Sequence, residues 1–235
     1  ALRFKIAANR ANAIRHIAPL QDLILLTAST EWRCYAGSGA ALTPTTITIK
    51  AQSQNGASET QPVTVNNYLL YEQAQGGHIR EMAYQWNNQG YTSNDISLLS
   101  PHLFDNYTIA EMCFSRAPYP VLWCVSSSGK LLGLTYVPEQ QVAGWHQHDT
   151  DGNFESCCTV TEGNEDALYT IVNRTIGGNT KRYIERLHSR YFATQDDAFF
   201  VDSGLSYSGA PATVFSGLGH LEGETVSILA DGAVM

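Results

Sequence analysis

Val121-Leu122-Trp123-Cys124-Val125, then Ser126-Ser127-Ser128-Gly129, then Lys130-Leu131-Leu132-Gly133-Leu134-Thr135-Tyr136: the reading of this stretch decides the fold. Two short apolar runs flank a link of serines and a glycine. Runs of this length, bounded by turn residues, read as strands, and the link is a hairpin turn. Working outward, Thr108 to Phe114 reads as a strand before the pair. After Val137-Pro138-Glu139-Gln140-Gln141, Val142 to His148 reads as the strand that closes the unit.

The same rhythm recurs along the chain. Ala13 to Ile17, Asp22 to Thr27 and Glu31 to Tyr35 are strand-like, and the β-branched alternation of Thr43 to Lys50 adds a further strand. Ser53 to Glu59 reads as a loop. Val63 to about Gln85 forms a second unit with a Gly76-Gly77 turn. Phe154 to Val160, Leu168 to Arg174 and Arg182 to Leu187 form a fourth, with turns at Glu162 to Asp166 and at Gly177-Gly178-Asn179. Ser93-Asn94-Asp95 is a plausible cap for a short helix reaching Phe104, with Pro101 ending or kinking it. First strands begin near Ala13, Val63, Ile109 and Phe154, a spacing of about 45 to 50 residues, the period of a four-stranded propeller blade. The expectation is an all-β, β-propeller-like body over residues 1–190; a β-sandwich with regular hairpins gives a similar rhythm. Composition shifts after Arg190, where Asp196-Asp197 and Phe199-Phe200 lead into a Gly/Ser stretch. Residues 191–235, with a hairpin signal at Asp231-Gly232, read as the truncated start of a second small β module.

The 235 residues carry only 15% charged side chains and 10% aromatics, which suits sheets and polar turns better than helices. A net charge of −8 argues against broad binding to a phosphate backbone, which needs Lys and Arg to displace counterions. Lys181, Arg182, Arg186 and Arg190 make the one local basic candidate, with a solvated strand edge as its plainer reading. The five cysteines, Cys34, Cys113, Cys124, Cys157 and Cys158, show no C-x-x-C spacing, and neighbours Cys157 and Cys158 point to opposite faces of a strand. They read as reduced, mostly buried small hydrophobes made in a cytoplasm. No apolar run approaches the ~20 residues that span a bilayer, and no signal-peptide pattern stands at the N-terminus. A start at Ala1 without Met reads as an excised or engineered piece of something longer.

Candidate chemistry is sparse. His146 and His148 share a strand face and run into Asp149 and Asp151, a set that suits a metal. With no third ligand identifiable, they read instead as cross-strand contacts leading into an Asp-rich turn. Asp105, Glu111, Asp149, Asp151, Glu155, Glu185 and Asp202 are the acids from which a glycosidase pair would be drawn, but nothing pairs two of them across a pocket. Arg182, Glu185 and Arg186 suggest an ion pair on a strand face. No G-x-S-x-G elbow or P-loop occurs.

The strings Val121 to Val125, Gly129 to Tyr136, Glu139-Gln140-Gln141-Val142, Trp145-His146-Gln147-His148, Asp151-Gly152 and Arg182-Tyr183-Ile184-Glu185-Arg186 resemble a family of bacteriophage and prophage structural proteins. So do the opening Phe4-Lys5-Ile6-Ala7-Ala8 with Ile14-Arg15, and the closing Leu221 to Val226. Members resemble the tail nozzle or tail-hub proteins of short-tailed phages, whose cores are β-propellers. The resemblance covers nearly the whole chain. It implies a virion component made in the bacterial host cytoplasm, a homo-oligomer in the phage tail, and other tail or head–tail connector proteins as partners. Nozzle-type members form rings around the DNA exit channel, where negative charge lets DNA slide without sticking. The resemblance supplies no catalytic, cofactor or metal-ligating residue.

The expected function is thus a noncatalytic tail structural protein that acts through subunit assembly. Strand edges and loops such as Val137 to Gln141 and Tyr84 to Tyr91 are its expected contacts, and the candidate interaction surface is Trp86, Tyr91, Gln140, Trp145, His146 and His148. The alternative is a carbohydrate-binding or glycan-hydrolysing propeller acting on the bacterial surface, with Trp86, Tyr91, Trp123 and Trp145 stacking on sugars; read as core residues, these aromatics need no such role.

Overall fold

The computed structural model describes residues 6, 12–37, 41–194, 198 and 201–234. Except for Ile6, the opening string Phe4 to Ala8 lies outside them, as do Asp196, Asp197, Phe199 and Phe200. The chain is all-β. Sheet one runs β1 (Ile14–Pro19), β2 (Leu23–Thr27), β3 (Glu31–Ala36), β4 (Ile47–Ser53). Sheet two runs β5 (Val63–Val65), β6 (Tyr68–Glu72), β7 (Ile79–Gln85), β8 (Gly90–Asp95). Sheet three runs β9 (Ile109–Ser115), β10 (Val121–Ser126), β11 (Leu131–Val137), β12 (Val142–His148). Each is an antiparallel meander in chain order, the form of a propeller blade. Among the described residues, sheet four holds three strands, β13 (Asn153–Glu162), β14 (Glu165–Ile176) and β15 (Asn179–Arg186).

First strands begin at Ile14, Val63, Ile109 and Asn153, so the repeat read from the pattern is the repeat of the fold. The hairpin that decided the fold is present. Every residue of β10 is buried, and β10 pairs with β9 on one side and β11 on the other. Gly177 and Gly178, both at positive φ, make the two-residue turn that closes Ile176 onto Asn179. Only residues tolerant of φ > 0 form this primed turn, whose twist matches the strands it joins.

Two local expectations are corrected. Gly90–Asp95 is strand β8 rather than a helix cap, because Tyr91 alternates into the core against Tyr84 of β7. The helix is one turn, α1 (Pro101–Phe104), and Pro101 starts it instead of ending it. At the first helical position the missing N–H costs nothing and the fixed φ is already helical. Thr43 to Thr46 is a threonine-lined turn, so the strand there begins only at Ile47.

Three apolar clusters occupy the spaces between successive sheets. Ile24, Leu26, Leu69, Tyr71 and Met82 join sheets one and two. Leu70, Ile79, Phe104, Ile109, Met112, Leu122 and Leu134 join two and three, with Trp145 at the margin. Trp123, Val125, Leu131, Cys157 and Leu168 join three and four. Each fully buried aliphatic or aromatic side chain contributes roughly 1.5–3 kcal/mol relative to exposure. β9 packs on both β5 and β13, so first strands face one another, as expected of blades set about a common side. Among the described residues, no comparable packing joins sheet four to sheet one. Beyond β15 the chain has no strand among its described residues until the hairpin β16 (Leu229–Ala230) and β17 (Ala233–Val234), turned at Asp231-Gly232.

Candidate functional site

Each sheet boundary carries a glutamate of one sheet that takes donors from the next. Glu31, at the start of β3, accepts from the Tyr71 hydroxyl of sheet two at 2.9 Å, besides Ser53 of β4 and the Asn55 N–H in the loop that follows it. Glu72, at the end of β6, accepts the Ile109 N–H of sheet three at 2.8 Å and the Thr60 hydroxyl at 3.0 Å. Glu111, on β9, accepts the Cys157 N–H of sheet four at 3.0 Å and the Ser156 hydroxyl. Glu31 and Glu72 are buried. A buried carboxylate is costly unless its oxygens are filled, and here main-chain N–H groups and hydroxyls fill them. Sequence reasoning passed over Glu31 and Glu72. The signal that marks Glu72 is a carboxylate closing the apolar run Tyr68-Leu69-Leu70-Tyr71.

Arg174 makes a fourth buried polar centre, on β14. Its guanidinium grips Glu185 of β15 with two bonds, of 2.6 and 2.9 Å. It also reaches the Asp151 carbonyl at 3.0 Å and Asp202 at 3.2 Å. The bond to Glu185 and then that to Asp202 push the guanidinium above its ordinary range, against the opposing effect of burial. Burial works against the Asp202 carboxylate, but Thr150 and Arg174 hold it below its ordinary range. This contact ties the chain beyond β15 back onto sheet four.

The expected ion pair among Arg182, Glu185 and Arg186 does not form. Successive strand residues alternate faces, so each finds a partner across the sheet. Arg182 binds Glu155, Arg186 binds Glu162 and Glu165, and Glu185 goes to Arg174. The basic candidate is therefore largely neutralised in place. Of the acids considered for glycosidase work, Asp105 meets His78, and Glu111, Glu155, Glu185 and Asp202 meet the partners already named.

His146 and His148 share a face, as alternation requires. They lie against Trp123 of β10, with ring centroids 5.7 and 5.4 Å from it and 5.1 Å from each other. Gly133 sits between Trp123 and His146 in register, where a Cβ would stand 2.2 Å from His146 Nε2. Arg190 lies over the Tyr119 and Trp123 rings. Burial pushes both imidazoles below their ordinary pKa; His148 and Arg190 add to it at His146, and Arg190 at His148. Beside them a cavity of about 30 Å³, lined by Ser115, Trp123, Leu168, His188 and Arg190 among others, has room for about one water. Among the described residues, no group of three or more His, Cys, Asp or Glu is placed to hold a metal ion.

The other candidate surface residues divide. Trp86 is 75% exposed and stacks edge-on against Tyr84, and Gln140 is exposed on the turn before β12. Tyr91 is a core residue, 4% exposed, whose hydroxyl takes the Asp22 N–H. Trp145 faces away from the histidines; its ring meets Phe104 at 4.7 Å and its indole N–H donates to the Ile96 carbonyl. The sugar-stacking set is corrected accordingly, because Tyr91 and Trp123 are buried and Trp145 is engaged between sheets. Cys34, Cys124 and Cys157 are buried, and Cys158 is exposed on the opposite face from Cys157. Cys113 and Cys157 meet across the third boundary, Sγ to Sγ 3.4 Å.

No protein-family model matches the chain, and no curated protein matches it.

Proposed function

We propose that the chain is a noncatalytic structural component of a bacteriophage or prophage tail, nozzle- or hub-like, that works by assembling with further subunits. The phage assignment rests on the sequence strings that resemble tail proteins. The observation that carries the assembly reading is the unfinished end of the stack. Among the described residues sheet four has no fourth strand, and the segment after it holds Val201, Leu205, Tyr207, Val214, Phe215, Val226, Ile228 and Leu229 exposed. Apolar surface on this scale is stable in water when a neighbour covers it. The surplus of acid over base suits a wall past which DNA slides.

The test is to raise antibodies to the chain and label phage particles purified from induced cultures of its source. Label on the tail is expected, together with a blank glycan array and no glycan hydrolysis. Particles that lack the protein overturn the reading, and so does specific glycan binding or cleavage.

A further inference from the structure

Among the described residues, sheets one to three have four strands and sheet four has three, with β15 at its open edge. Leu187 N–H bonds to Leu168 O. Antiparallel alternation then turns the main-chain N–H and C=O of Thr180, Arg182, Ile184 and Arg186 away from β14. The edge is both polar-hungry and apolar. Ile184 is 79% exposed, and it continues a row through Ile171 of β14 to Ser156 of β13. β15 carries Lys181, Arg182 and Arg186 against one acid, Glu185, which Arg174 holds. Arg182 and Arg186 meet Glu155, Glu162 and Glu165 on the sheet face, while Lys181 is exposed.

The same chain carries a segment with the matching properties. Thr225-Val226-Ser227-Ile228-Leu229 alternates as a strand does, yet it is exposed throughout and leads into the hairpin β16–β17. From Val201 onward the sequence has Asp202, Glu222, Glu224 and Asp231 and no Lys or Arg. We propose that Thr225–Leu229 of a second copy adds to the free edge of β15 as the missing fourth strand. Val226 and Ile228 fall on one face of such a strand and cover Ile184. In one chain the two halves coexist without pairing. Head-to-tail donation leaves each copy one donor and one acceptor, which generates a ring or a filament. This proposal rests on the assembly reading above and names its contact.

The test uses the full chain and two variants, Ile184→Pro in the acceptor and Val226→Pro in the donor. Each removes an N–H that the added strand needs. Ile184 already points its N–H away from β14, so the sheet keeps its own ladder, and Val226 lies in an exposed segment outside the body. Light scattering across a concentration series is expected to show the native chain above the mass of one copy and each variant at one copy. An equimolar mixture of the variants is expected to form a one-to-one pair, because Ile184→Pro still donates and Val226→Pro still accepts. A native chain that stays monomeric at every concentration overturns the proposal. So does association that survives Val226→Pro. A monomer whose Ile184 amide exchanges slowly until Val226→Pro speeds it overturns it too, by showing pairing within one chain. Tail labelling with no such association sinks this contact alone, and association without tail labelling sinks the phage assignment alone.

Discussion

Replacing Glu72 by alanine tests whether the interfacial carboxylates set the stability of the stack. Glu72 is 3% exposed, and its two oxygens serve different donors. One accepts the Ile109 N–H, which has no way back to water because Ile109 is buried. The other accepts from Thr60, whose hydroxyl also lies 2.6 Å from the Ile109 carbonyl and can turn to it when the carboxylate is gone. Alanine therefore orphans one buried main-chain donor, at about 1–3 kcal/mol, and removes the packed stem of the side chain besides. The expected loss is about 3 kcal/mol, or roughly 1 M in urea midpoint at unchanged slope. Glutamine fits the same space. Its carbonyl oxygen takes the Ile109 N–H, and its amide donates to Thr60 while Thr60 donates to Ile109. Glu72→Gln should cost less than about 1 kcal/mol. Urea unfolding at neutral pH, followed by tryptophan fluorescence and circular dichroism, measures both. A loss below about 1 kcal/mol for Glu72→Ala refutes the role given to the acceptor. Equal losses for the two variants refute the argument in a second way, because charge and not acceptor geometry would then matter.

Other consequences are open to equally direct measurement. His146 and His148 are held below the ordinary imidazole value of 6.5, so the unfolded chain takes up protons first. Their contribution is complete above about pH 6.5 and lost as pH falls toward the folded values. Thermal midpoints should drop on acidification, and His148→Gln should flatten that drop; an unchanged profile counts against it. His78 has the opposite sign. Burial alone would lower its pKa, but hydrogen bonds to Asp105 and Asp95 raise it, so its contribution is complete below about pH 6.5 and lost as pH rises through the folded value. His78→Gln should destabilise more at pH 6 than at pH 9, and equal losses at the two pH values would argue against the paired imidazolium. Brief alkylation of the native chain should modify Cys158 alone, with the other four thiols reacting after unfolding; early labelling of Cys124 or Cys157 would contradict the packing. Gly133→Ala should cost about 1–3 kcal/mol by driving the His146 ring off Trp123, and tryptophan emission should report the displacement.

The repeat was legible because it lives in local chemistry. Short apolar runs, serine and glycine turns and the Asp231-Gly232 hairpin speak within a few residues of themselves, and the strand starts follow them closely. The Ser93 to Phe104 region misled for the same reason. Its capping residues are good local helix signals, but Tyr91 had to fill the core against Tyr84, and that tertiary demand drew Gly90–Asp95 into sheet two. The contacts of the buried charged groups were illegible in a deeper sense. Arg174 and Asp202, or Glu72 and Ile109, are separated by dozens of residues, and nothing near either partner names the other. Tyr91 and Trp145 show the limit for aromatics. Composition cannot tell a ring that stacks on a ligand from one that fills a boundary between sheets.

The interfacial glutamates explain how a stack held mostly by apolar contact acquires a fixed stagger. Hydrophobic burial is non-directional, so Leu70 against Leu122, or Leu168 against Val125, resists sliding only weakly once volume is conserved. A carboxylate that must meet one N–H of the next sheet does resist it, because a shift of one residue in register moves that donor out of reach. The Glu72 bond to Ile109 acts at the first residue of β9 and the Glu111 bond to Cys157 acts on β13, both first strands, whereas Glu31 of β3 meets the Tyr71 hydroxyl of β6. Sheet four has its buried charge elsewhere, with Glu185 committed to Arg174 inside the sheet. On the proposal above, the end of the stack is left to main-chain pairing along β15. That contact sets register by hydrogen bonds every second residue and depends on no single buried charge.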